Sequence, residues 1–330
     1  MKKFLRSCIV LGLSGILLIG VVGCSQQQES QQQESQQQEN IQEQEHVQNQ
    51  TEPIEQAFPV TITDSTGTEI TITQEPQRIV SLAPSTTEIL GALGVSDKLV
   101  GRTRYCDFPP EVLDAEEVGG TSDPNIETIV ALNPDLVVAS THVPDEIISK
   151  LRELNIPIAF LNEQENFEGT YSAIENIGLL VGRTEEAKEV VNNMKTTIEG
   201  VIERINQLGE DTVAPRVYYA LWAGDSDSTA TGDTFIGEMI ELAGGDNIAK
   251  NATMWSISKE QIVEGDPDMI IVPSGKGLKE TLTTTDFYKD LRAVQEGQIY
   301  EIDDNMISRQ GPRLAQAFEA LAEIIHPENE

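Results

Sequence analysis

Histidine and cysteine are scarce in this chain, with three of each in 330 residues. The histidines are His46, His142 and His326, and the cysteines are Cys8, Cys24 and Cys106. Protein-built zinc or manganese sites recruit several such side chains, and this sequence is poorly supplied to build one. The same shortage leaves no His–Ser–Asp or Cys–His constellation for nucleophilic catalysis. No glycine-rich phosphate loop follows a strand pattern either. Basic charge is also short: 22 Lys and Arg stand against 55 Asp and Glu, a formal net charge of -33. Phosphate backbones require a basic surface, so nucleic acid is excluded as a partner.

What is present begins with a leader. Lys2, Lys3 and Arg6 precede an uncharged apolar run from Cys8 to Gly23. That layout is a secretory signal, and the run is short for a membrane span, which needs roughly 20 apolar residues. It ends in Val21-Val22-Gly23-Cys24, which resembles a bacterial lipobox, where the cysteine is lipidated and becomes the first residue after cleavage. Residues 1–23 therefore read as a signal peptide and Cys24 as the lipidation site, placing the mature chain outside the cytoplasm on a membrane anchor. Residues 24–57 carry the repeats QQQES, QQQES and QQQEN. With no apolar face to bury, such a segment cannot offset the entropy of ordering and reads as a solvated tether. Cys106 is then left without an intramolecular disulfide partner, and the folded part must rest on its own core.

In that folded part, Val60, Ile62, Ile70 and Ile72 alternate with polar residues around Asp64-Ser65-Thr66-Gly67, the pattern of a hairpin. Short strand patterns follow at 78–82, 99–103, 136–140 and 157–161. Between them lie helical patterns after Ser85, after Pro109 and at 145–154. Ser85 and Glu88 have capping-box spacing. Strands separated by helices predict parallel sheets covered on both faces. From Gly169 to Leu208 the pattern is continuously helical, with Gly178 and Gly182 as places for a kink or close packing. Strand–helix alternation resumes at 216–221, 234–242, 269–272 and 312–325. The fold class is therefore α/β: an N-terminal lobe at 58–168, a bridging helix at 169–208, and a C-terminal lobe at 209–330. A repeat spans the bridge. Glu127-Thr-Ile-Val-Ala-Leu-Asn-Pro-Asp-Leu-Val-Val138 matches Glu260-Gln-Ile-Val-Glu-Gly-Asp-Pro-Asp-Met-Ile-Ile271 without a gap, as two pseudo-symmetric halves would.

Several segments resemble the substrate-binding lipoproteins of iron-complex and cobalamin ABC importers. They are Gln77 to Glu88, Tyr105-Cys-Asp-Phe-Pro-Pro110, Val118-Gly-Gly120, Asn125 to Val138, and Gly311-Pro-Arg-Leu314. The resemblance covers about residues 76–327. It implies two α/β lobes joined by a rigid helix, a ligand cleft between them, and partners in a membrane permease dimer with its ATPase. It assigns Glu127 and Glu260 to docking against permease arginines, a pairing that sets orientation and association rate. It implies no resident cofactor, only a captured small-molecule metal chelate. By pattern the nearest member binds cobalamin: Tyr105 and Trp255 match aromatics of its cleft, while another of its tryptophans aligns with Thr121. Tyr219 and Trp222 are further candidates for either kind of ligand. A ferric siderophore or haem is the alternative, with Arg102, Arg104 and Arg309 available to meet the charge of a ferric siderophore. Arg313 is the weaker arginine candidate. An enzyme using Glu127 and Glu260 as paired acids is the contrasting class.

Overall fold

The structure, a computed structural model, describes residues 58–209, 212–224 and 226–327. The expected signal peptide, Cys24 and the tether lie outside the described residues. The folded unit, Gln56–Glu330, has its own core.

The alternation at its start gives the expected hairpin, β1 (Val60–Thr63) against β2 (Glu69–Ile72), with valine and isoleucines inward. Asp64 ties its turn. One carboxylate oxygen accepts the backbone N–H groups of Thr66 and Thr68, and the other accepts Phe160 N–H and the Arg152 guanidinium at 2.5 Å. Burial would raise the Asp64 pKa, but the hydrogen bonds from Thr66, Phe160 and Thr68 outweigh it and hold the carboxyl below its ordinary value. Its unfolded value is near 3.9. The stability it contributes is therefore complete above that pH and disappears as pH falls through the lower folded value. Thermal melts should show Asp64→Asn costing roughly 2–3 kcal/mol near neutrality, with the gap to wild type shrinking below about pH 4.

Five strands build the N-terminal lobe, all parallel. They are β3 (Ile79–Ser81), β4 (Leu99–Arg102), β5 (Glu116–Glu117), β6 (Leu136–Ala139) and β7 (Ile158–Phe160), in the order β5-β4-β3-β6-β7. Helices α1 (Pro84–Ala92), α2 (Ile126–Ala131) and α3 (Asp145–Glu153) connect them. The segment after Pro109 closes only into a 3-10 turn, Pro110–Asp114. In the C-terminal lobe, β8 (Arg216–Trp222) runs parallel to β12 (Met269–Pro273) and β12 to β13 (Ile299–Ile302). The short strands β9 (Asp227–Thr229), β10 (Asp246–Asn247) and β11 (Ser256–Ile257) extend this sheet.

The connection between the lobes differs from the expected single rod. It is two helices, α4 (Phe167–Val181) and α5 (Thr184–Asn206), packed against each other. Gly182 ends α4 at φ 72°, a left-handed conformation that glycine adopts without strain. Gly178 permits the close return: a Cβ there would stand 2.4 Å from that of Ala187. The C-terminal lobe carries helices α6 (Phe235–Leu242), α7 (Lys259–Gly265) and α8 (Leu314–Ile325) besides shorter ones at Leu278–Thr284, Arg292–Gln295 and Asp304–Ile307, and α8 lies on α5. One apolar cluster runs from the hairpin through α4, α5 and α8 to β8, so both lobes share a core. Among the described residues, no helix is long and apolar enough to cross a membrane.

Candidate ligand-binding cleft

In open α/β sheets, ligands sit beyond the carboxyl ends of parallel strands. There the N-terminal lobe has a cavity of about 300 Å³. Its walls are the residues following the strands: Ala83–Thr86 after β3, Thr121 and Ser122 after β5, Ser140–His142 after β6, and Leu161–Glu163 after β7. Ser308, Arg309 and Gln310 close it from the C-terminal lobe. This volume is at the lower end for a small-molecule site. The exposed His142 stands in this wall at φ 69°, a conformation uncommon for a residue with a Cβ.

Arg309 is the expected ligand residue that lines this cavity, and its guanidinium is already engaged. It donates to Glu88 at 2.9 Å, Asp107 at 2.6 Å, Asn305 at 2.8 Å and the Tyr105 carbonyl at 3.3 Å. Arg313 grips the same Glu88 at 2.9 and 2.7 Å, with Phe108 beneath its guanidinium at 4.0 Å. Burial would lower the Arg309 pKa, but hydrogen bonds to Asp107 and Glu88 raise it above its ordinary range. Asp107 in turn is held below its usual value by Arg309, against its own burial. The expected capping box is thereby corrected. Ala83 is the N-cap of α1, without a side-chain cap, and Glu88 points away to bind two arginines of the other lobe.

Four aromatics stand clear of the core: Tyr105 (53% exposed), Phe108 (38%), Trp222 (58%) and Trp255 (37%). Arg104 lies 5.6 Å from the Tyr105 ring while bonded to Asp123. Two other expectations are corrected. Tyr219 points inward from β8 and is fully buried in the core, where burial pushes its phenol pKa up, so its side chain faces no ligand. Arg102 directs its guanidinium to the carbonyls of Val112 and Thr103, where it holds the loop after β4.

Residues 79–306 match the model of a family described as periplasmic binding protein. The chain belongs to this family. Its members carry substrates and are not enzymes. An uncharacterized ABC transporter substrate-binding lipoprotein of Bacillus subtilis, YvrC, is 32% identical over 333 residues, covering 99% of each chain. A cobalamin-binding protein of Halobacterium salinarum is 30% identical over 281 residues, 82% of this chain and 75% of that one. The periplasmic heme-binding protein RhuT from Roseiflexus, in apo form, superposes with a TM-score of 0.69 at 25% identity, covering 76% of this chain and 98% of that one.

In this binding protein the sequence repeat proves deeper than its letters. Glu127 and Glu260 both stand exposed in the first turn of a helix, α2 and α7. Asn125 caps α2 by accepting Thr128 N–H, and Ser258 caps α7 by accepting Gln261 N–H. The Glu260 carboxyl is held below its ordinary value, first by its own backbone N–H and then by Ser258. Beyond each helix an aspartate starts the next strand: Asp135 accepts Arg78 N–H at 2.9 Å, and Asp268 accepts Arg216 N–H at 2.8 Å. Each arginine reaches back to a carbonyl at its helix end, Leu132 or Gly265. The sequence reading missed His142, Ser140 and Asn162. Their signal was available, since each follows closely on a strand whose pattern was legible, where the rule for parallel sheets places ligands.

Proposed function

We propose that this protein is the substrate-binding lipoprotein of an ABC importer and that its cleft captures cobalamin or a related corrinoid. The observation that carries this reading is the set of exposed flat side chains at the strand ends of both lobes, Tyr105 on one and Trp222 and Trp255 on the other. Aromatic faces suit a large, partly apolar macrocycle, and a few polar groups fix its orientation. The Halobacterium relative, named as cobalamin-binding, supports the choice of ligand, and the Bacillus relative supports the transport role. Cys24 anchors the chain by lipid to the outer face of the cell membrane. Glu127 and Glu260 dock on arginines of the permease dimer, which passes the ligand inward with its ATPase.

Haem is the second reading, favoured by His142 in the cavity wall, since an imidazole is an axial ligand for haem iron. A ferric siderophore is less well served, because Arg102, Arg104 and Arg309 are each already bonded within the protein. Titration calorimetry of the folded unit against cyanocobalamin, haemin and a ferric catecholate tests this directly. One-to-one cyanocobalamin binding, weakened about tenfold by Tyr105→Ala or Trp255→Ala, is expected. Binding of haemin alone, lost in His142→Ala, would replace the corrinoid reading with the second.

A further inference from the structure

Met254 and Trp255 are consecutive residues with a Cβ that both adopt the left-handed conformation, at φ 59° and 58°. Single residues of this kind are uncommon, and for non-glycine side chains the conformation stores strain that the surroundings must hold. Here those surroundings are identifiable. Asp233 accepts Met254 N–H at 3.1 Å, and Thr231 Oγ1 accepts Trp255 N–H at 3.2 Å while donating to Asp233 at 2.5 Å. The Trp255 carbonyl accepts Thr229 N–H at 3.1 Å. The turn is bracketed by side chains whose hydrogen bonds go to it and to each other.

What the bracket presents is apolar and unburied: Met254 is 82% exposed, beside the half-exposed Trp255. The turn sits beside the other exposed tryptophan of the C-terminal lobe. Trp222 at the end of β8 is opposite Ser228 of β9, and Ser228 is opposite Ser256 of β11, so the turn before Ser256 lies level with Trp222 across β9. A strained turn that exposes a methionine and a tryptophan does nothing for the core. Strain held by a dedicated bracket belongs to sites of function, and a flexible thioether is well suited to an irregular apolar surface.

We propose that Met254 is a further ligand-contacting side chain of the C-terminal lobe, and that Thr231 and Asp233 are positioning residues that hold the Met254–Trp255 turn toward the ligand. This rests on the reading of the cleft as a site for a tetrapyrrole.

The test exploits two opposed effects. Glycine at 254 relieves strain and removes the side chain. Met254→Gly should therefore raise the melting temperature by about 2 °C while weakening binding of the preferred probe, cyanocobalamin or haemin, about fivefold. Met254→Ala should weaken binding similarly without the gain in stability. The chain has two tryptophans, so Trp222→Phe leaves Trp255 as the sole emitter. In that background Asp233→Ala should shift the Trp255 emission and reduce affinity about tenfold, and Asp233→Asn, which keeps one acceptor oxygen, should recover part of both. If unsubstituted protein binds a probe and neither Met254→Gly nor Asp233→Ala alters its affinity, the proposal is overturned alone. If unsubstituted protein binds neither tetrapyrrole, the reading of the cleft fails and this proposal with it.

Discussion

Replacing Glu88 by alanine is expected to destabilise the protein by about 3–5 kcal/mol, the cost of stripping one partner from a buried ion cluster. The Glu88 side chain is 2% exposed and those of Arg309 and Arg313 only 12% and 18%, so solvent screening offers little relief. Both arginines would lose their carboxylate, and Arg313 has no other carboxylate partner among the described ion pairs, whereas Arg309 retains Asp107. For a unit of this size the loss corresponds to a fall in melting temperature of roughly 5–9 °C. Because Glu88 sits on α1 and the arginines precede α8, the damage should concentrate where the lobes meet. Glu88→Gln, which keeps an acceptor oxygen, should fall between alanine and wild type. A loss below about 1 kcal/mol in alanine would mean that water reaches the arginines and that the cluster holds nothing together.

Phe318→Ala should be comparably severe, at about 3–5 kcal/mol. Phe318 on α8 is fully buried and meets Phe167 edge-to-face with ring centroids 5.5 Å apart. Phe167 on α4 meets Phe235 on α6 in the same manner at 5.0 Å. Removing Phe318 leaves a cavity at the one place where helices of the bridge and of the C-terminal lobe share an aromatic stack. Urea unfolding should show a lowered midpoint with unchanged slope and one transition, because the apolar cluster is continuous between the lobes. Two separate transitions would instead mean that the lobes unfold independently.

Local signals carried most of the architecture. The hairpin is visible in the alternation from Val60 to Ile72, and the strand at Met269–Pro273 in an unbroken apolar run, because each pattern reflects burial that the backbone period fixes. The family resemblance predicted two lobes and a cleft, and membership and fold agree. The failures share a physical cause. Glu88 has capping-box spacing from Ser85, yet its partners lie 221 and 225 residues away, and no local pattern reports such a pair. Tyr219 lies within β8, a strand buried on both faces up to Ala220, so an aromatic there packs into the core whichever way it points, and only Trp222 at the strand end emerges. The bridge looked continuous because α4 and α5 both keep helical periodicity up to their ends, and only Gly182 and Arg183 carry the turn between them. The strain at Met254 and Trp255 is invisible in sequence, since neither residue type announces a positive φ.

The likeness of the two capped helix starts has a consequence for assembly. Each lobe presents the same local arrangement of helix cap, exposed acid and strand-leading aspartate. Under the docking proposed above, either lobe could meet either of two like sites on a permease dimer. Productive collisions would then double, roughly, over those of a molecule that fits one way round.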